Sequence, residues 1–109
     1  MEKEHTIRAV VFKNGQTWIA QCLEYDIATQ AASIDRLLYE LERILVAHLI
    51  VADEEGLSHP FTDIPKAPRR FWEMYKRAQR TLRTVPELPA SSRQAPPRVE
   101  VAFPDSVAA

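Results

Sequence analysis

One continuous run, residues 10–56, constrains the fold more than any other part of the chain. It reads VVFKNGQTWIAQCLEYDIATQAASIDRLLYELERILVAHLIVADEEG. Two strand-like patterns joined by Asn14-Gly15 open the run, a short third strand pattern follows, and a long amphipathic helix pattern ends it. Asn-Gly between two such patterns is typical of a hairpin, because a type I′ turn needs a positive φ at both central residues. The run therefore predicts an α+β domain with an antiparallel three-stranded sheet packed by one long helix.

The predicted hairpin assigns each side chain to one face of the sheet. Strand one spans residues 6–13, strand two spans 16–24, and a turn centred on Asn14-Gly15 pairs Phe12 with Thr17. The face expected to meet the core carries Ile7, Ala9, Val11, Trp18, Ala20 and Cys22. The other face carries Arg8, Val10, Phe12, Ile19, Gln21 and Leu23. This second face is too apolar for a solvated sheet face. We therefore expect the second helix, a second subunit or a partner to cover it.

The long helix has clear start and stop signals. A third strand is predicted over 27–32, and Ser33 then suits an N-cap before a helix over 34–55. Gly56 follows as the C′ residue that ends the helix. Apolar or core-facing residues recur at spacings of three and four, as expected for one buried face. They are Ile34, Leu37, Leu38, Leu41, Ile44, Leu45, His48 and Leu49.

The remainder of the chain divides into a second helix, a linker and a terminal strand. A proline-containing loop over 57–68 precedes a predicted helix over 69–83, whose apolar stripe is Phe71, Tyr75, Ala78 and Leu82. Four prolines within residues 86–97 indicate a linker. The domain is therefore predicted over 1–83, the linker over 84–97, and an assembly strand with a tail over 98–109. The alternating run RVEVAF (98–103) can join its own sheet, swap onto a second subunit or stay disordered. Its oligomerisation candidates are Val99, Val101 and Phe103.

Charge is distributed unevenly, although the net charge is only −1. Residues 34–56 hold six acids and two bases, a balance of −4, and residues 57–83 hold seven bases and two acids, a balance of +5. The basic helix has three readings: a solvated face with its aromatics in the core, a nucleic-acid surface, or a contact for an acidic protein surface. The candidate partner- or nucleic-acid-binding residues are Arg69, Arg70, Trp72, Tyr75, Lys76, Arg77 and Arg80.

The chemistry-bearing residues predict a non-enzymatic protein without a metal or cofactor. Cys22 is the only cysteine, which excludes an intrachain disulfide and favours a reducing cytoplasm. His48 and Cys22 lie on predicted core faces, where packing is the expected role. Glycine occurs only at 15 and 56, so no glycine-rich phosphate or nucleotide motif exists. No apolar run approaches the roughly 20 residues that span a bilayer, and no signal-peptide pattern is present; we expect no membrane association.

The run VVFKNGQTWIAQCLEYDIATQAASIDRLLYELERIL resembles the HicB-like family of small antitoxin-type proteins. The matching features are Trp18-Ile19-Ala20 in strand two, the corner at residues 23–26, the third strand at residues 27–31, and Ser33 with the leucine-rich helix. The resemblance covers about half of the chain. It implies a ββ-hairpin, third strand and helix in a partial ribonuclease-H-like arrangement.

The same resemblance implies a function. It is that of a non-enzymatic antitoxin of a toxin–antitoxin system, which forms a homo-oligomer and masks the active site of a small RNA-cleaving toxin. Where such antitoxins usually carry a C-terminal DNA-binding module, this chain has a helix, a proline-rich linker and RVEVAF. An antitoxin of this kind, or a stand-alone relative that has lost that module, is thus expected, with a nucleic-acid-binding regulator using helix 69–83 as the alternative.

Overall fold

The computed structural model describes residues 6–57, 61, 63–84 and 97–103. In this part of the chain, two helices and five strands form an α+β domain. The elements are β1 (Thr6–Asn14), β2 (Thr17–Cys22), β3 (Ala28–Ala31), α1 (Ile34–Glu54), α2 (Arg69–Lys76), β4 (Gln79–Thr84) and β5 (Arg98–Phe103).

The strands form one mixed sheet in the order β3-β2-β1-β5-β4. The predicted antiparallel meander of β1, β2 and β3 is present. The possible further strand at residues 98–103 is also in the sheet, as β5, whereas β4 was not predicted. β5 pairs in parallel with β1, and β4 pairs antiparallel with β5. The backbone of β1 is therefore hydrogen-bonded along both edges, which makes it the central strand.

The β1–β2 turn is displaced by one residue from its predicted position. The structure pairs Asn14 with Thr17 and Phe12 with Ile19, so Gly15 and Gln16 are the central turn residues. Gly15 has a φ of 66°, and no non-glycine residue in the described chain has a positive φ. A positive φ at the first central residue alone is the pattern of a type II′ turn. Each partner shifts by two residues, so the predicted faces are unchanged.

Both faces of the sheet are covered, one by each helix. α1 packs over β2 and β3 on the predicted core face, where Ile7, Ala9, Val11, Ala20 and Cys22 are buried. The opposite face buries Val10 and Leu23 against α2. Of the three covers considered for this second face, the second helix is the one observed. The domain is therefore three layers thick around β1.

Both ends of α1 are formed as predicted. The Ser33 hydroxyl oxygen accepts a hydrogen bond from the Arg36 backbone N–H at 3.2 Å. At the other end Gly56, with a φ of 72°, donates its N–H to the Asp53 carbonyl at 3.1 Å. The Leu57 N–H donates to the Ala52 carbonyl at 2.8 Å. These two bonds form a Schellman motif, which satisfies carbonyl groups that the helix end leaves open.

The predicted second helix was too long. α2 ends at Lys76, and residues 79–84 form β4, which pairs with β5 from Gln79↔Phe103 to Thr84↔Arg98. The free edge of β5 offers six residues of inter-strand hydrogen bonding. Those bonds replace the helical bonds that the Phe71–Leu82 stripe predicted, because tertiary pairing readily overrides weak local propensity.

The strand prediction for residues 98–103 is confirmed, and of the three placements left open for it the chain's own sheet is the one observed. β5 lies inside the sheet between β1 and β4, and Val99 and Val101 are buried in the chain's own core, with Phe103 packed beside them. These three oligomerisation candidates are therefore not an exposed assembly surface. Residues 85–96, most of the predicted linker, lie outside the described residues.

The turn makes a direct prediction about stability. Replacing Gly15 with alanine forces a side-chain-bearing residue into a positive-φ conformation, which costs about 1–2 kcal/mol. A Cβ at this position meets nothing within 4 Å, so the cost comes from the backbone alone. Urea unfolding of Gly15→Ala should show that loss, whereas the control Gln16→Ala should change the free energy of unfolding little. Equal effects of the two substitutions would contradict a type II′ turn.

Candidate functional site: the cationic face of helix α2

Helix α2 is attached to the sheet by two aromatic side chains. Phe71 and Tyr75, one turn apart, are buried against Val10 and Leu23 of the second sheet face. The Phe71 ring also stacks on Phe12, with ring centroids 5.7 Å apart and an interplanar angle of 24°. Burying aromatic rings supplies most of the stabilisation at such contacts. One side of α2 is therefore part of the core.

The segment that leads into α2 is fixed to the corner after β2. The Ala67 N–H donates to the Leu23 carbonyl at 2.9 Å, and the Asp26 N–H donates to the Pro65 carbonyl at 2.6 Å. Within the helix, the Trp72 indole N–H donates back to the Ala67 carbonyl at 3.2 Å. These bonds fix where α2 begins.

Arg8 joins α2 to the sheet electrostatically. Its Nε lies 2.5 Å from Oε2 of Glu24, and its backbone N–H donates to Oε1 of the same carboxylate at 2.8 Å. The guanidinium carbon is 4.7 Å from the centroid of the Trp72 ring and 5.9 Å from that of Tyr75. The Tyr75 hydroxyl in turn donates to the carboxylate of Glu100 on β5. The position of α2 is thus defined by contacts to β1, the β2–β3 corner and β5. We call these residues the Arg8 clamp: Arg8, Glu24, Trp72, Tyr75 and Glu100.

The outward side of α2 and the residues flanking it are strongly cationic. The exposed bases are Lys66, Arg69, Arg70, Lys76 and Arg77. Glu73 is the single acid of the α2 sequence, and it lies 3.8 Å from both the Arg69 Nε and the Lys76 Nζ. Exposed pairs at that distance are weak, and the Arg69 side chain is 92% exposed. The surface therefore keeps a positive charge that an anionic group can approach.

The structure places the seven predicted binding residues in three different settings. Arg69, Arg70, Lys76 and Arg77 lie together on the exposed side of α2. Tyr75 is buried, and Trp72 is half-buried with Arg8 over its ring. Arg80 belongs to β4 rather than to the helix. The structure thus brings four of the seven candidates into one surface and assigns the two aromatics to anchoring it.

Sequence reasoning missed the residues that hold α2 in place. Arg8 stands in mid-strand on a mostly apolar face, and that misfit was the one signal available. Glu24 and Glu100 are 76 positions apart, so no sequence spacing reveals that Glu24 holds Arg8 and Glu100 holds Tyr75. Phe61 was assigned to a loop, yet it is buried and stacks on Tyr25 with ring centroids 4.5 Å apart.

Two further reactive residue types pack in the interior of the domain. Burial, with a smaller contribution from Glu24, raises the pKa of the Cys22 thiol to about 12, so the thiol is protonated at neutral pH. His48 is half-buried, and its Nδ1–H donates to the Ile44 carbonyl at 2.8 Å. Its ring lies 5.7 Å from that of Phe61. Among the described residues, no group of three or more His, Cys, Asp or Glu side chains is arranged to hold a metal ion.

Comparisons with known proteins found no relative of this chain. Protein-family models, curated proteins and solved structures give no significant match to this chain. In the part of the chain that the structure describes, neither helix combines the length and apolar character needed to cross a bilayer.

The Arg8 clamp predicts a measurable coupling. Arg8→Met removes a partly exposed ion pair and a cation–π contact, which together cost about 1–2 kcal/mol. A double-mutant cycle with Glu24→Gln should give a coupling free energy of about 0.5–1 kcal/mol by urea unfolding. The matched control is Lys13→Met, since Lys13 also lies over a tryptophan ring, Trp18 at 5.3 Å, but is exposed at the turn end of β1. A cycle with zero coupling would mean that Arg8 and Glu24 do not act together.

Proposed function

We propose that this chain is a HicB-like antitoxin, or a stand-alone relative of one, that binds a small RNA-cleaving toxin or similar protein and occludes its active site. The order of a hairpin, a third strand and α1 along the chain supports the proposal, because the sequence resemblance implies the same order. In this proposal the protein works without chemistry of its own, in the cytoplasm. Its effect comes from covering a surface.

The observation that carries the proposal is a charged helix held rigidly on the sheet. Phe71, Tyr75 and Arg8 fix α2 before any partner arrives, so little ordering entropy remains to be lost on binding. Four exposed bases then face outward: Arg69, Arg70, Lys76 and Arg77. A preorganised cationic surface of this kind suits an acidic patch on a partner protein, through steering and orientation of the encounter.

The same cations support one alternative, a small nucleic-acid-binding regulator. Lysine and arginine side chains neutralise phosphates, and such binding weakens steeply with salt. Sequence-tolerant binding of single strands also uses aromatic rings on which bases stack. Phe71 and Tyr75 are buried, and Arg8 occupies one face of the Trp72 ring, so the aromatics of α2 offer little open surface for stacking. Protein binding is therefore the favoured reading.

The test is inhibition of a partner's RNA cleavage. The full chain is co-expressed with the product of the adjacent reading frame, and cleavage of a labelled RNA by that product is measured against the concentration of this chain. We expect stoichiometric inhibition by the native chain. Arg69→Glu with Arg77→Glu turns two attractions into repulsions and should weaken inhibition by about tenfold, equivalent to roughly 1.4 kcal/mol.

Lys13→Glu is the matched control. It makes the same kind of charge reversal on an exposed residue whose side chain points to the opposite face of the sheet from α2, and it should inhibit as the native chain does. RNA cleavage that continues at full rate in the presence of excess native chain would refute the proposal. A salt-dependent gel shift by the native chain, lost in the Arg69/Arg77 variant, would instead support the nucleic-acid alternative.

A further inference from the structure

The outward side of α1 has a regular pattern that the core does not use. The helix buries Leu37, Leu41, Leu45, Leu49 and Ala52 against the sheet. On the opposite side, positions separated alternately by four and three residues lie along one line of the helix, as do the seam positions between two paired helices. These seam residues are Arg36, Glu40, Arg43, Ala47, Ile50 and Glu54.

The second half of this outward side is apolar where a solvated helix face would be charged. Ala47 is exposed, Ile50 is half-buried, and the neighbouring Val51 is 51% exposed. Tyr39, in the first half, is 50% exposed. Exposed apolar side chains that adjoin one another on a surface are typical of a protein contact site. The sheet covers only one side of α1.

Charge along the same side changes sign from one end to the other. Arg36 and Arg43 lie in the first half, whereas Glu54 and Glu55 end the helix. The last turn contains no base, so these acids lie at the negative end of the helix dipole, where they are destabilising in an isolated helix. An antiparallel second helix can place its Arg43 beside Glu54. The charges on this side of α1 are therefore complementary to those on an antiparallel copy of the same helix.

We propose that α1 pairs antiparallel with α1 of a second copy of this chain, about a two-fold axis that falls between Ala47 and Ile50. In this register Ala47 faces the partner's Ile50, and Arg43 faces the partner's Glu54. The small Ala47 lets the helices approach closely. Because the interface is two-fold, each contact is made twice.

Two features of the isolated chain agree with this register. Glu40, the other acid of the seam, is satisfied within its own helix, since its Oε2 lies 2.7 Å from the Arg36 guanidinium. Arg43 has two long contacts on its own helix, Glu40 at 3.5 Å and the Tyr39 ring centroid at 5.7 Å, and its side chain is 61% exposed. It is therefore able to turn to Glu54 of the partner subunit. The proposal does not rest on the proposed function, because α2 takes no part in it.

A charge swap tests the register. Arg43→Glu and Glu54→Arg each place like charges opposite one another at two symmetric positions. Each should raise the dimer dissociation constant, measured by sedimentation equilibrium on the full chain, by roughly tenfold or more. The double variant Arg43→Glu/Glu54→Arg restores opposite charges and should dimerise within about threefold of the native chain. Mixing the two single variants should also restore a dimer, because each supplies what the other lacks.

Folding is checked separately from pairing. The substituted seam positions Arg43, Ala47 and Glu54 are exposed in the single chain, so circular dichroism of the variants should match the native spectrum. Ala47→Arg should abolish the dimer by blocking close approach, and Lys76→Glu on α2 should leave it unchanged. A native chain that stays monomeric at all accessible concentrations would overturn the proposal, as would a dimer that survives both single charge reversals and Ala47→Arg.

Discussion

The structure depends on burial of β1 on both of its faces. Ile7, Ala9 and Val11 point to α1, and Val10 points to α2. A strand apolar on both sides needs a layer on each. Its backbone also needs a hydrogen-bonding neighbour on each edge, because buried N–H and C=O groups are rarely left unpaired. β2 supplies one neighbour and β5 the other. The late segment 98–103 is therefore required at the centre of the fold.

The features that follow from local residue periodicity were predicted from the sequence. Those that depend on pairing between distant segments were missed. The two faces of the hairpin followed from the alternation of residues 7–12 and survived a change of turn, because the register moved by an even number of residues. The turn type itself was ambiguous, since Gly15 serves either type I′ or type II′. β5 was recognised as a strand from RVEVAF, but six alternating residues do not indicate which edge they join.

The same distinction between local pattern and distant pairing explains which residues of the candidate site were predicted. The four exposed cations of α2 were found because they cluster in sequence. β4 was missed because QRTLRT continues the helical stripe of α2 as readily as it forms a strand, and only the edge of β5 decides between them. The Arg8 clamp could not be predicted from the sequence. It joins residues from β1, the β2–β3 corner, α2 and β5, and no local pattern relates them.

The two candidate surfaces are the cationic side of α2 and the outward side of α1. They lie on opposite faces of the sheet, so the two proposals are compatible with each other. Pairing through α1 leaves the cationic side of α2 accessible on the outside of each subunit. A two-fold dimer would then present two such surfaces, so two partner molecules could be held at once. Self-association and partner binding would not compete for the same residues.

Native-state hydrogen exchange of the full chain tests the central claim, that β1 and β5 together form the centre of the sheet. The account predicts that the slowest amides of β5 exchange with the same free energy as the slowest amides of β1, equal to the free energy of global unfolding. It also predicts lower protection in β3, which lies at the sheet edge. Exchange of β5 amides at a much lower free energy than those of β1 would contradict the account, because β5 would then open without the rest of the sheet.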